Sequence, residues 1–155
     1  MGHCQNTPAC QKEALENAKH ICAQQDVRLT PIRQRVLELV WEHHKPVKAY
    51  DILSQLQSEM PSAQPPTVYR ALDFLMENGF IHKLQSMNAY IGCHHPSPDT
   101  ENCYFLICSH CDETLEMQLP HTEQRLIKNI EKHQFQVQHI TVEIAGLCKT
   151  CQTAA

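Results

Sequence analysis

Four cysteines in the second half of the sequence stand in two short pairs, Cys108-Ser109-His110-Cys111 and Cys148-Lys149-Thr150-Cys151. A two-residue spacer lets one tight turn aim both thiolates at a common point. Two such knuckles supply the four sulfurs that tetrahedral zinc takes in a closed, structural site. The competing chemistries are a pair of redox dithiols and an iron–sulfur centre. Neither pair opens a helix after a strand in a βαβ context, the setting in which such a motif gains redox reactivity. His110, inside its knuckle, is expected to be exposed. Zinc closing this site would bring the C-terminal end back onto an earlier strand and supply folding energy that a small core cannot.

A second set of donors falls in a different stretch. Taking Met87 and Asn88 as a two-residue hairpin loop, Ser86 faces Ala89, Leu84 faces Ile91 and His82 faces Cys93. Directly opposed side chains lie close enough to reach one ion. A thiolate with one imidazole favours zinc over iron or manganese. Cys4 and Cys10, separated by five residues in an aperiodic stretch, read by default as mobile surface thiols.

The elements that must position these donors follow from periodicity and punctuation. A helix is predicted over Lys12 to Gln25, with Leu15, Ala18, Ile21 and Cys22 at helical spacing. Thr30-Pro31 gives a cap and a first helical residue for a second helix bearing Ile32, Val36, Leu39 and Val40. A third carries Ala49, Ile52, Leu53 and Leu56 and ends before Pro61. Pro65-Pro66 introduces a fourth, with Val68, Ala71, Leu72 and Leu75 facing inward and Gly79 near its C-cap. Strands at Phe80–Gln85 and Ala89–Cys93 complete the order of a winged helix. Beyond 94–102, a polar linker, strands are expected at Tyr104–Ile107 and Glu113–Leu119, and a helix at His121–His133. The last run has Phe135 and Val137 on odd positions but Ile140, Val142 and Ile144 on even ones, which requires a break near Gln138 or His139. The fold class is thus α+β: a tail at 1–11, a winged helix at 12–93, the linker, and a small α/β domain at 103–155.

The formal net charge of -4 is unevenly placed. Met1 to Met87 holds nine basic and nine acidic residues, and Asn88 to Ala155 four against eight. A nucleic-acid contact therefore belongs to a local basic surface in the first half, since a phosphate backbone attracts nearby cations and not a chain average. No apolar stretch is long enough for a membrane span, and Met1 to His20 lacks a signal-peptide core. A cytoplasmic location is expected, where close cysteine pairs ligate metal or do redox work more often than they form disulfides. Nothing defines a pocket for a small organic substrate, and no enzymatic activity is expected.

The segments Arg28-Leu29-Thr30-Pro31-Ile32-Arg33 and Pro66-Thr67-Val68-Tyr69-Arg70-Ala71-Leu72, with both cysteine pairs, resemble the ferric-uptake-regulator family, most closely its zinc-responsive branch. The likeness runs from about Ala14 to Cys151. It implies a repressor that dimerises through its C-terminal half and binds palindromic operator DNA when loaded with metal. The helix opening near Thr67 would put Tyr69 and Arg70 in the major groove, arginine reading a guanine edge and tyrosine a base methyl or phosphate. The resemblance places Tyr50 near the DNA backbone, and Arg28, Arg33 and Lys83 are further candidate phosphate contacts. Beside the structural ion, it implies a regulatory zinc held by His82 and Cys93 with Glu101 and Glu116, where relatives usually carry histidine in place of Glu101. His94, His95 and Cys103 are alternatives for that fourth place. The histidine run that many iron-sensing relatives carry before the first knuckle is absent from Thr100 to Ile107. The alternative function is a peroxide or thiol-redox sensor on the same fold, using Cys10, Cys22 or Cys103.

Overall fold

The computed structural model describes residues 8–42, 45–94, 96, 103–117, 123–137 and 140–153. The chain divides into two compact units, Met1–Pro98 and Asp99–Ala155.

The first unit holds α1 (Pro8–Gln24), α2 (Pro31–Trp41), α3 (Ala49–Glu59), α4 (Pro65–Glu77), β1 (Ile81–Leu84) and β2 (Ala89–Gly92). α2 starts as its sequence requires: Thr30 stays extended, its hydroxyl accepts from the Arg33 N–H at 3.4 Å, and Pro31 takes the first turn. α3 has Lys48 at its cap position, which makes no side-chain cap. Gly79, at φ 70°, takes the left-handed position just past α4. The apolar stripes converge on one core, with Val36, Leu39, Ile52, Leu56, Leu72 and Leu75 almost fully buried. Val47 and Tyr90 exchange two backbone hydrogen bonds of 2.8 Å, adding a short third edge to the hairpin.

Two expectations for this unit are corrected. α1 begins at Pro8, so the segment read as a tail is partly helical. Cys10 there is 6 % exposed and disulfide-bonded rather than a mobile surface thiol. The hairpin register also differs. Leu84 pairs with Ala89 across a four-residue turn, Gln85 to Asn88, so His82 opposes Ile91 and not Cys93. Asn88 takes φ 47°, a conformation asparagine tolerates, and closes the longer turn.

The second unit holds β3 (Cys103–Cys108), β4 (Thr114–Met117), α5 (Glu123–Glu131), β5 (Thr141–Gly146) and the short α6 (Lys149–Thr153). Its sheet order is β4-β3-β5. β3 and β4 form an antiparallel hairpin, whereas β5 lies parallel to β3, so the chain must cross over through the segment that carries α5. β4 is described as far as Met117, and the expected strand end at Leu119 lies outside the described residues. The out-of-phase last run resolves by leaving Phe135 and Val137 outside β5, with Gln138 and His139 outside the described residues. Among the described residues no helix is long and apolar enough to cross a membrane.

Candidate metal centre and nucleic-acid interface

The parallel pairing of β3 with β5 builds the four-cysteine site. Cys108 ends β3 opposite Gly146 at the end of β5, so each strand delivers one knuckle to the same end of the sheet. The first knuckle turns through Asp112 at φ 59°, with its N–H donating to the Cys108 carbonyl at 3.0 Å. The Ser109 N–H donates to the Gly146 carbonyl at 2.8 Å and ties the first knuckle to β5. The sulfurs of Cys108, Cys111, Cys148 and Cys151 all lie within 4.8 Å of one another.

Geometry tests the fit to zinc. Two sulfurs about 2.3 Å from a common tetrahedral centre stand about 3.8 Å apart. The Cys111 and Cys148 sulfurs are 3.8 Å apart. A disulfide requires about 2.0 Å, and none of the four cysteines is disulfide-bonded. The Cys148 N–H points at the Cys108 sulfur from 3.4 Å. That bond, with N–H groups of His110 and Cys111, pulls the Cys108 thiol down to about 6. Burial, and then the other three sulfurs crowding it, push Cys151 up to about 12. Four mutually repelling thiolates do not persist without a cation, and a divalent ion among them removes the repulsion. His110 is exposed, as its place inside the knuckle implied.

The regulatory candidates divide between the units. In the first, His82 is half-buried on β1, and Cys93, immediately after β2, is 3 % exposed. The observed register makes them diagonal neighbours on one face, shared with Leu84, Ala89 and Ile91. Diagonal pairs span about 7–8 Å between Cα atoms, still within reach of longer side chains. The opposite face, with Ile81 and Tyr90, packs on the helices. Gly92 lies against Trp41, whose indole stands edge-on to the His94 ring at 4.9 Å. His94 is exposed, and His95 and Glu101 lie outside the described residues. In the second unit Glu116 is half-buried on β4 opposite Phe105, on the face away from Leu115 and Met117. Cys103 and Glu116 bring a thiol and a carboxylate within 4.8 Å of each other. That proximity follows from the β3–β4 register, which the sequence did not fix.

The candidate nucleic-acid face is equally local. α4 buries Val68, Ala71, Leu72 and Leu75, leaving Arg70 exposed and Tyr69 half in solvent, with Thr67 half-buried in its first turn. Tyr50, in the first turn of α3, is 77 % exposed. Tyr50 and Tyr69 thus leave two aromatic rings exposed on the neighbouring helices α3 and α4. Arg28 is exposed and Lys83 half-buried, its ammonium 5.9 Å from the Tyr90 ring. Arg33 has an internal engagement that its sequence position did not announce: its guanidinium stacks 3.6 Å over Phe74 and donates to the Arg28 carbonyl at 2.6 Å. Cys22 is 3 % exposed, and burial pushes its thiol up despite nearby Arg33, which suits a packing residue and not a reactive thiol.

The family model described as the ferric uptake regulator family matches residues 24–145. The chain belongs to that family. It is similar to the zinc uptake regulation protein of Escherichia coli (strain K12), at 41% identity over 140 residues, covering 90% of this chain and 82% of that protein. It is also similar to a solved structure of a zinc uptake regulator complexed with zinc and DNA. That match has a TM-score of 0.88 at 40% identity and covers 93% of this chain and 96% of the other. The peroxide-responsive repressor PerR of Staphylococcus aureus (strain USA300) is more distant, 29% identical over 143 residues, covering 89% of this chain and 91% of that protein.

Proposed function

We propose that this chain is a zinc-responsive transcriptional repressor, which binds palindromic operator DNA as a homodimer when zinc-loaded and so controls zinc uptake and homeostasis in the cytoplasm. The observation that carries the reading is the 40% identity, along nearly the whole of both chains, to a zinc uptake regulator solved with zinc and DNA. The four-sulfur centre and the outward Tyr69 and Arg70 support it, because they supply the two chemistries such a protein needs.

In this reading Cys108, Cys111, Cys148 and Cys151 hold a structural zinc that stabilises the second unit. His82 and Cys93 from the first unit, with Glu116 from the second and one further donor among Glu101, His94, His95 and Cys103, hold a regulatory zinc. Ligands drawn from both units restrict the arrangements the units can sample, selecting one in which the two α4 helices of the dimer suit two operator half-sites. Arg70 reads a base edge, Tyr69 and Thr67 contact bases or phosphates beside it, and Tyr50, Arg28 and Lys83 contact the backbone. Arg33 holds the main chain at Arg28 by donating to its carbonyl.

The test is His82→Ala, read by two titrations at fixed salt, one of zinc content and one of operator binding in buffered zinc. The variant keeps its structural zinc, folds and dimerises, because the sulfur site is untouched. It loses the zinc-dependent part of operator binding, while weak, salt-sensitive binding to arbitrary DNA persists. A wild-type zinc response in folded His82→Ala would remove His82 from the mechanism.

A further inference from the structure

Glu101, His94, His95 and Cys103 are the candidates for the last place in the regulatory site, and the surroundings of Cys103 single it out. Cys103 opens β3, and alternation along the strand puts it on the same face as Phe105. Glu116 on β4 stands directly opposite Phe105, which makes Cys103 and Glu116 diagonal neighbours on that face. Their donor atoms lie within 4.8 Å. A sulfur at about 2.3 Å and an oxygen at about 2.1 Å from one tetrahedral zinc stand about 3.6 Å apart, so a side-chain rotation closes the difference. Phe105 beside them is fully buried, which keeps water from competing for the ion on that side. The Cys103 N–H donates to the Ile140 carbonyl at 3.1 Å, so the backbone that presents the thiol is anchored to the chain leading into β5.

We propose that Cys103 supplies the fourth ligand of the regulatory zinc, giving a set of two thiolates, one imidazole and one carboxylate: Cys93, Cys103, His82 and Glu116. The inference rests on the regulatory reading above and deepens it. On binding, the two thiols each release a proton as their sulfurs bond to the ion, so the bound set carries three negative charges against the two positive charges of zinc. A second thiolate in place of a second carboxylate makes the set softer. Zinc and copper(I) then gain relative to manganese and iron(II), which prefer oxygen and nitrogen.

The experiment uses the full-length dimer with its structural zinc retained and cobalt(II) added to the second site. The sulfur-to-cobalt charge-transfer absorption of that site counts its thiolates, and competition with a chelator gives its zinc affinity. Cys103→Ser halves the charge-transfer intensity and weakens the second zinc at least tenfold, while Glu101→Gln leaves both at the wild-type level. Cys103→His restores affinity without restoring the absorption, an outcome that a merely structural role for the thiol does not produce. Retention of one zinc per subunit and of the dimer verifies folding of each variant. Wild-type absorption and affinity in Cys103→Ser overturn the proposal. If Glu101→Gln weakens the site instead, the proposal falls but the regulatory reading stands. If the wild-type protein takes up a single metal per subunit, both fall.

Discussion

Gly92→Ala tests how the sheet of the first unit is held to its helices. A methyl group built on Gly92 would lie 2.2 Å from Cε2, 2.5 Å from Nε1 and 2.7 Å from Cδ2 of Trp41, all inside the contact limit for carbon. Trp41 is 5 % exposed with His94 edge-on to its ring, so the indole has little room to retreat. Overpacking of this kind costs about 1–3 kcal/mol, and simultaneous conflict with three ring atoms places the cost near about 3 kcal/mol. With a urea slope of about 1–1.5 kcal/mol/M for a unit of this size, the midpoint of its unfolding falls by about 2–3 M. The chain has a single tryptophan, so fluorescence reports the transition at the site of the change. Gly146→Ala is the control: a methyl group there meets nothing within 4 Å, and a shift below about 0.5 kcal/mol is expected. Because β2 leads directly into Cys93, Gly92→Ala also weakens the regulatory zinc. An unchanged unfolding midpoint would refute the packing argument.

Further outcomes follow from other parts of the molecule. Cys148→Ser removes one of four sulfurs from a centre whose analogues bind zinc by about 10–16 kcal/mol; an even share of that is about 2.5–4 kcal/mol, a loss of roughly 10²–10³ in affinity. Zinc analysis and sedimentation read this as loss of the structural ion together with the dimer, and an intact dimer would separate the two. Arg70→Ala costs about 1–3 kcal/mol of operator affinity and relaxes specificity at one base, whereas Arg28→Ala weakens all sequences alike and lowers the salt slope by about one. The Arg35 guanidinium donates to Glu59 at 2.8 and 3.1 Å and holds its carboxyl below the ordinary glutamate range. A depressed folded value means the pair stabilises above the unfolded pKa of about 4.3 and loses that contribution as pH falls through the folded one. The stability gap between wild type and Glu59→Gln, measured by urea unfolding, therefore closes on acidification below that range; a gap that persists in acid would assign the effect to packing.

The helices were legible where punctuation and period agreed. Thr30-Pro31 and Pro65-Pro66 mark the starts of α2 and α4, and the buried stripes are those their spacing implies. α1 was read short because Pro8 and Cys10 sit in a stretch without apolar period, although its first turns still bury Cys10 against the core. The hairpin failed in register for a different reason. A two-residue loop of Met87 and Asn88 needs both in the left-handed region, which the bulky Met87 disfavours, so the turn uses four residues with Asn88 alone there. That shift moves His82 from opposite Cys93 to diagonal from it. The four-sulfur centre survived every such error, since each knuckle is a local turn and the pairing of β3 with β5 has only to bring their ends together. The Cys103–Glu116 pair was invisible because it depends on which residue of β4 meets Phe105, a fact of register that no spacing in the sequence encodes.

The two donor sets differ in what their occupation must order, and this gives them different roles. All four sulfurs of the closed centre belong to one unit, and β3, β5 and their knuckles already bring them within 4.8 Å of one another. Zinc there adds to folding and exchanges only as the unit opens. The donors proposed for the regulatory zinc are divided, His82 and Cys93 in the first unit and Cys103 and Glu116 in the second, so in that proposal binding must also offset the entropy of fixing the units against each other. The regulatory affinity is therefore the weaker by the conformational cost, and as zinc becomes scarce this site empties first. Carrying the units from one part competent in a hundred to ninety-nine requires about a 10⁴-fold preference of zinc for the competent arrangement. By linkage, operator DNA must tighten the regulatory zinc by the same factor by which that zinc tightens the DNA. Zinc affinity measured with and without operator should differ by that ratio at the regulatory site and be unchanged at the sulfur centre. Equal tightening at both would mean that DNA stabilises the second unit as a whole, and the division of labour between the two sites would be lost.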